Sequence, residues 1–335
     1  MSNESASGRT ARIAAVDLGT VSSRLLCATV REGRIVSSTK RTVITDLGEG
    51  VDATGLFAEA AVDRVLAACR DFAGEIDAFA PDAVCTTLTS AARDVSNGES
   101  LLNGLRELGL HPQVIPGEVE ARLTFYGVAH DFPGQRIAVA DSGGGSTELA
   151  VGAWKPDLAS DPLALDHVRS LDIGCRRVTE RFLAGDPPAA DELARAAAWT
   201  RKQLDAYWAA LPQHPDRLVA VGGTVTSLVA MVHKLEQYDS HFVHLRDLTL
   251  SEVQGCIDRM AALPSAEIAR LPGIQPKRAP VILAGALIIR ELMASGGYDR
   301  LTVSENSLLA GMAATVYEVI CDEAPAIGWK PDLSR

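Results

Sequence analysis

Two segments of the chain set carboxylates beside runs of glycine, serine and threonine, a combination suited to holding a phosphate group. The first is D-L-G-T-V-S-S at residues 17–23, after the apolar run A-A-V. The second is D-S-G-G-G-S-T-E at 141–148, after A-V-A. A turn of this composition aims backbone N–H groups and hydroxyls at one point, and glycine lets a phosphate approach the main chain closely. Hairpin turns use the same residues, so Gly19, Thr20, Ser22 and Ser23 taken alone read as a plain turn. The second turn says more, because consecutive Gly143, Gly144 and Gly145, followed by Ser146 and Thr147, cost backbone entropy and need a reason. Two such turns facing each other would clamp a phosphate. Asp17, Asp141 and Glu148 flank them, and a hard cation such as Mg²⁺ prefers carboxylates together with phosphate oxygens and water. Aspartates at these positions can instead bind turn N–H groups; their paired placement favours the functional reading.

Three other segments carry chemistry. In I-P-G-E-V-E-A-R-L, 115–123, Glu118 and Glu120 fall in a first helical turn, where carboxylates gain from the helix dipole. One of them could act as a general base toward water, and residue chemistry alone does not choose between them. In T-S-A-A-R-D, 89–94, Arg93 offers a bidentate donor to phosphate oxygens, with a surface salt bridge as the plain alternative. In V-G-G-T-V-T-S, 221–227, Gly222, Gly223 and Thr224 would bring a helix N-terminus to a ligand, or Thr224 simply caps that helix. His241 and His244 are spaced H-x-x-H without the glutamate of H-E-x-x-H, which gives a metal role little weight. The chain has no G-x-S-x-G, Walker or Rossmann pattern.

The elements needed to position these residues are legible in the apolar spacing. Residues 12–30 read as two strands around the first turn, and 33–44 as a third. Phe57, Ala61, Val65, Cys69, Phe72, Ile76 and Phe79 recur every three or four residues, predicting one long amphipathic helix from about 53 to 80. A strand over 81–90, a helix over 97–110 with Asn97 as cap, a short strand at 112–116 and a helix over 117–130 follow. From about 135 the opening theme returns, since A-V-A-D-S-G-G-G-S-T-E-L-A repeats A-A-V-D-L-G-T-V-S-S-R-L-L about 120 residues later, which suggests duplicated halves. Strands at 165–174 and 217–223 flank a helix over 187–210; helices cover much of 224–297; 299–304 is a late strand and 305–320 a closing helix. Strands mixed with helices throughout predict an α/β fold.

Bulk properties agree. With 335 residues the chain is long enough for two domains. Its 47% hydrophobic and 22% charged residues are ordinary for a globular protein. A formal charge of -11 argues against a nucleic-acid partner, which a basic stripe would attract, yet allows an anion held locally by backbone N–H groups. The six cysteines show no C-x-x-C pairing and read as reduced core residues. The N-terminus is polar, unlike a signal peptide, and no run approaches the ~18 continuous apolar residues of a membrane helix. The expectation is a cytoplasmic protein with no membrane partner.

Taken in order, V-D-L-G-T-x-S, T-S-A-A-R-D, I-P-G-E-V-E-A-R-L, D-S-G-G-G-S-T-E-L and V-G-G-T resemble the exopolyphosphatase/guanosine pentaphosphate phosphohydrolase (Ppx/GppA) family. L-P-G-I with Arg278 and A-G-A-L-I-I resembles its later region. The resemblance covers roughly residues 12–318. It implies two ribonuclease H-like domains of the actin/hexokinase/Hsp70 kind with the active site in the cleft between them. The first domain would span 12–130 plus the helix at about 305–320, the second 131–304, between a disordered 1–11 and a tail at 321–335.

Carried over by residue, Glu120 matches the family's catalytic glutamate, Asp141 and Glu148 match positions tied to the divalent metal, Mg²⁺ or Mn²⁺, and to phosphate, and Asp17 matches the first-turn aspartate. Gly144, Gly145, Ser146 and Thr147 match the second phosphate loop and Arg93 a phosphate-contacting arginine. The implied reaction is attack of water on a terminal phosphoryl group of inorganic polyphosphate. Alternatives are guanosine pentaphosphate as substrate, a nucleotide-dependent kinase or actin-like protein, or a weakly active regulatory binder. The resemblance also implies a homodimer. Departures are Val21 where the family has asparagine, Glu118-Val119-Glu120 in place of adjacent glutamates, and Pro280 and Leu309 where Asp and Arg are common. The length matches the short, two-domain form.

Overall fold

The computed structural model describes residues 9–158 and 162–334. Most of the N-terminal stretch expected to be disordered lies outside the described residues, and the first strand begins at Thr10, inside that stretch.

The first lobe opens with an antiparallel meander of β1 (Thr10–Leu18), β2 (Ser22–Arg31) and β3 (Arg34–Ile44). Helices α1 (Val51–Thr54) and α2 (Glu59–Phe79) lead to β4 (Ala83–Leu88), parallel to β1. Helices α3 (Ser90–Arg93) and α4 (Glu99–Glu107), strand β5 (Pro112–Val114) and helix α5 (Gly117–Ala129) complete it. The second lobe repeats the plan with β6 (Arg136–Ser142), β7 (Thr147–Trp154) and β8 (Leu163–Leu171), then α6 (Cys175–Phe182), α7 (Ala190–Ala209) and β9 (Arg217–Val221), parallel to β6. After α8 (Gly223–Val232) and α9 (Ser240–Val243) come β10 (Arg246–Thr249), α10 (Leu250–Ala261), α11 (Ser265–Ile268), α12 (Ala279–Gly296) and β11 (Arg300–Val303). Helix α13 (Leu308–Ile320) and the short β12 (Leu333–Ser334) return to the first sheet.

The sheet orders are β12-β4-β1-β2-β3, with β5 also on the edge of β4, and β10-β11-β9-β6-β7-β8. Each is a three-strand meander extended by a parallel strand on its inner side, and each meander carries an irregularity, at Thr29/Val30 and at Val151/Gly152. This is the duplicated ribonuclease H-like plan.

Strand alternation builds the layers. Along β1, Ala14, Val16 and Leu18 face a core shared with α2 and α4, while Ala11, Ile13 and Ala15 face inward to α5 and α13. Along β6, Ile137 and Val139 join that same inner core, and Ala138 and Ala140 face the outer helices of the second lobe. Helices α5 and α13 are therefore sandwiched between the two sheets. They cross closely because Gly127 and Gly311 meet there: a Cβ on Gly311 would lie 1.8 Å from the carbonyl oxygen of Leu123. Below them, the two chain crossings between lobes are tied where Asp131 accepts from Asn306 Nδ2 at 2.9 and 3.1 Å.

Several expectations change. The long helix read over 53–80 is broken: α1 ends at Gly55 in the left-handed region, and Phe57 is buried in the connector before α2 begins at Glu59. Asn97 does not cap α4; its side chain instead bonds both backbone groups of Phe57, at 2.8 and 3.0 Å. Strand β10 lies within the stretch read as mainly helical, and the tail supplies β12. The stretch Pro276–Gly296 is long and apolar enough to cross a membrane by composition, but 78% of its apolar window is buried inside the second lobe. All six cysteines are free, five of them buried, and burial pushes Cys85 up to about 12.

Candidate active site

The two glycine turns converge between the lobes. A Cβ on Gly144 would lie 2.6 Å from Val21 Cγ2 and 2.8 Å from Thr20 Cβ, and one on Gly145 would lie 2.5 Å from Ser90 Oγ. Gly174, entering α6, packs on the backbone of Gly144 and Gly145 with no room for a side chain. Together the turns wall a cavity of about 60 Å³, room for a few waters or one tetrahedral group. Asp17, Gly19, Thr20, Ser22, Glu120, Asp141, Gly143, Gly144, Gly145, Ser146, Glu148, Gly222, Gly223 and Thr224 line it. An outer vestibule of about 350 Å³ adjoins it, sharing Ser22, Arg24, Gly222, Gly223 and Arg278.

Matching positions of the two hairpins carry different charge pairs. In the first, Asp17 lies opposite Arg24, whose Nε and Nη2 donate to Oδ2 at 2.9 and 2.6 Å. Oδ1 of Asp17 is buried without a hydrogen-bond partner. In the second, Asp141 lies opposite Glu148, two buried carboxylates on facing strands. Burial, and then Asp141, push Glu148 up to about 7, against the bonds it accepts from Ser146 and Ser170 and the charge of Arg93. Burial also raises Asp141, against the pull of Arg24. Arg24 is raised despite its burial, chiefly by Asp17 and Asp141.

Helical geometry separates the two glutamates of α5, and the packing of the helix chooses between them. Residues two apart point to different faces. Glu118 lies in solvent, its side chain 62% exposed, 3.9 Å from Arg169. Glu120 is buried against the cavity, and its Oε2 accepts from Arg93 Nη1 at 2.8 Å. Burial and the nearby Glu148 hold the Glu120 carboxyl well above its usual range, with Arg93 opposing. Arg93 Nη1 also donates to the Ile115 carbonyl at 3.0 Å, and its Nη2 reaches 3.5 Å from Ser146 Oγ and 3.7 Å from Glu148.

Three candidate residues do not line the cavity: Ser23, Thr147 and Arg93, the last reaching it through Glu120. Ser23, one residue on from Ser22 in a strand, turns to the opposite face and bonds Thr45 Oγ1 at 2.9 Å. Thr147 donates to the Ile173 carbonyl at 2.5 Å and so braces the loop from behind. Thr224 does not cap α8: Gly222, at φ 97°, occupies the cap position, and Thr224 packs beneath Gly285.

The structure adds residues the motifs did not single out as ligands. Arg24 is the register partner of Asp17, a position that counting along the hairpin reaches. Arg278 comes from the start of α12 and lies over Gly223, where a Cβ would sit 2.1 Å from its Nη1. It donates from Nε to Gln275 at 3.1 Å and, among the described residues, pairs with no carboxylate. Burial lowers its pKa. Ser170 donates to Glu148 Oε1 at 2.7 Å, and Thr124, one turn beyond Glu120 on α5, reaches Asp141 Oδ2 at 3.5 Å. Of the departures, Val21 is packed into the turn contact, Leu309 lines the vestibule, and Pro280 occupies the first turn of α12, where proline is well tolerated.

No group of three or more His, Cys, Asp or Glu side chains among the described residues forms a protein-only metal site. A hard cation that keeps water and takes substrate oxygens needs fewer protein ligands. The orphaned Asp17 Oδ1 and the crowded Asp141–Glu148 pair supply oxygen donors of that kind. The assembled site can hold an anion against loop N–H groups and guanidinium groups, with four buried carboxylates, Asp17, Glu120, Asp141 and Glu148, around it.

Comparison with known proteins gives this arrangement relatives. A family model described as the Ppx/GppA phosphatase family matches residues 26–316. Exopolyphosphatase 2 of Mycobacterium tuberculosis is 35% identical over 322 residues, covering 91% of this chain and 98% of that protein. The crystal structure of the Aquifex aeolicus Ppx/GppA family member superposes with a TM-score of 0.76 at 32% identity, over 94% of this chain and 99% of that one. An exopolyphosphatase from Cytophaga hutchinsonii superposes with a TM-score of 0.81 at 25% identity, over 95% and 100%.

Proposed function

Since the chain belongs to the Ppx/GppA phosphatase family and is a phosphohydrolase, we propose that it removes the terminal phosphate from short inorganic polyphosphate. The observation that carries this reading is Glu120, a buried carboxylate of raised pKa beside the cavity between the two glycine turns. The terminal phosphoryl group would rest against the N–H groups of 20–22 and 144–146, since those of Gly19 and Gly143 donate to the carbonyls of Ser22 and Ser146 across their own turns. Water would be oriented by Glu120, which accepts its proton as the water oxygen bonds to phosphorus and the bridging P–O bond breaks. Orthophosphate and a chain one unit shorter leave. Arg93 holds Glu120 in place and, with Arg278 and the loop N–H groups, balances the negative charge. Asp17, Asp141 and Glu148 would hold Mg²⁺ or Mn²⁺, whose charge offsets that of the phosphate oxygens.

The vestibule supports short chains. Its cations are Arg24, tied to Asp17, Lys40, tied to Glu305 at 3.4 Å, and Arg278, while Glu236 and Glu305 stand beside them. A long polyanion passing through the vestibule would meet those two carboxylates among the described residues that line it. A second reading, guanosine pentaphosphate, is favoured by the half-exposed Tyr238 and by Leu235, Ile274 and Leu309, apolar surface against which a base could lie.

The test is phosphate release with Mg²⁺ or Mn²⁺ from polyphosphates of graded length, guanosine pentaphosphate and ATP. Release from the shortest chains at the highest kcat/KM is expected. Preference for chains of hundreds of units would refute the short-chain reading, and no release from any substrate would favour a binding protein.

A further inference from the structure

A second cavity, of about 500 Å³, lies at the opposite end of the second sheet from the active site. The strand ends that border it, Arg136 of β6 and Arg217 of β9, are five residues before Asp141 and Gly222, roughly 16 Å along each strand. Its volume falls in the range of small-ligand sites.

Three guanidinium groups ring it: Arg136, Arg217 and Arg300. Arg217 donates to Thr302 Oγ1 at 3.0 Å and lies 5.4 Å from the centre of the Phe132 ring, and among the described residues it has no carboxylate partner. Arg136 and Arg300 pair with Asp166 at 2.7 Å and Asp247 at 3.2 Å. Both pairs are solvent-exposed, with side chains 34 to 64% accessible, and such pairs are worth little and exchange readily. Asp216 and Asp247 stand on the lining and Asp166 beside Arg136, so carboxylates match the three arginines in number, and Arg217 is the one guanidinium of the three with no carboxylate paired to it among the described residues. His214 on the rim is occupied by the carbonyls of Gly296 and Trp208, at 3.1 and 3.2 Å.

From this we infer that the cavity is a binding site for a small phosphate-bearing ligand, separate from the active site. Guanidinium groups match phosphate oxygens in bidentate fashion. Arg217 supplies the unneutralised charge, and Arg300 and Arg136 turn from their surface carboxylates to the ligand. The ligand is either free phosphate or the phosphate group of a nucleotide.

Two probes separate the sources: inorganic phosphate and adenosine 5′-monophosphate, which has no anhydride bond to cut. Each is titrated calorimetrically into the full chain and into Arg217→Gln/Arg300→Gln, with hydrogen exchange mapped on and off ligand. The expected result is protection at residues 212–218 and 299–302, and at least tenfold weaker binding there in the double variant, whose polyphosphate hydrolysis stays within about twofold of wild type. Tighter binding of the monophosphate nucleotide would identify a nucleotide site; equal or tighter binding of inorganic phosphate, a site for the free ion. Arg300→Glu, at an exposed position, repeats the test should the double variant fold poorly. Protection confined to 17–24 and 141–148, or unchanged binding in both variants, would overturn the proposal.

Discussion

Asp141 and Glu148 face each other across the β6–β7 ladder, at the hairpin position where the first lobe has the ion pair of Asp17 and Arg24. Like charges directly opposite on facing strands are destabilising, and here both are buried. The duplicated framework thus supports a neutralised pair on one side and a concentrated negative charge on the other. The second would be tolerable in the proposed site, where a cation and loop N–H groups would meet a phosphate.

This arrangement sets a pH dependence of stability. The folded-state pKa of Glu148, about 7, lies above that of an unfolded carboxyl, so folding binds the proton. The stabilisation is complete below the ordinary carboxyl range and is lost as pH rises through about 7. Asp141 and Glu120 act in the same direction. Melting of the metal-free protein between pH 5 and 8 should show wild type losing on the order of 3 kcal/mol relative to Glu148→Gln. Mg²⁺ should restore much of that loss at pH 8. Parallel wild-type and variant curves would rule out this account.

Replacing Glu120 by glutamine keeps its size and removes its basicity. Hydrolysis should fall by about 10²–10⁴-fold with KM little changed. Because the carboxyl is raised above its usual range, the acid limb of the wild-type rate profile should lie at a higher pH than an ordinary glutamate would give. Steady-state kinetics across pH checks both, and equal rates in the two proteins would remove Glu120 from the mechanism.

Two glycines should respond oppositely to alanine. At Gly174 a Cβ would lie 2.2 Å from the Gly144 carbonyl oxygen, so the second glycine turn must shift. Gly174→Ala is expected to cost more than about 2 kcal/mol and most of the activity. Gly74, in α2, has no neighbour within 4 Å of the added methyl. Gly74→Ala should stabilise by about 0.5–1 kcal/mol with kinetics unchanged. Chemical denaturation of both variants reads the contrast.

The lobes are clasped beside these loops by α6. Arg177 pairs with Asp52 and with Asp94 and donates to the Gly145 carbonyl at 2.9 Å; Arg181 joins Asp52, and Arg176 pairs with Asp46. Arg177→Ala should lower stability by about 1–3 kcal/mol and raise KM more than it lowers kcat. Arg106→Ala, which removes the exposed pair with Glu99, should stay within about 0.5 kcal/mol. If the two variants behave alike, the clasp does not order the cleft.

Much of this protein is written locally. The two Asp–glycine turns, the alternation of Ala14, Val16 and Leu18 against Ile13 and Ala15, and the repeat of the whole opening theme follow from residue type and period, because a strand's pleat and a turn's positive or crowded backbone depend on near neighbours. The same local reading predicted one helix across Gly55 and a cap at Asn97, and both failed because Phe57 was claimed by the core and Asn97 by the backbone of Phe57.

What tertiary closure alone decided is which side chains share a point. Period places Glu118 and Glu120 on different faces of α5, but only the packing of that helix between the two sheets sends Glu120 to the cavity and leaves Glu118 in water. Arg278 reaches Gly223 from 55 residues further along the chain, and Arg93 joins a glutamate from each lobe. Such meetings are set by the stacking of sheets and helices over long separations, a property of the assembled layers that no window of neighbouring residues contains.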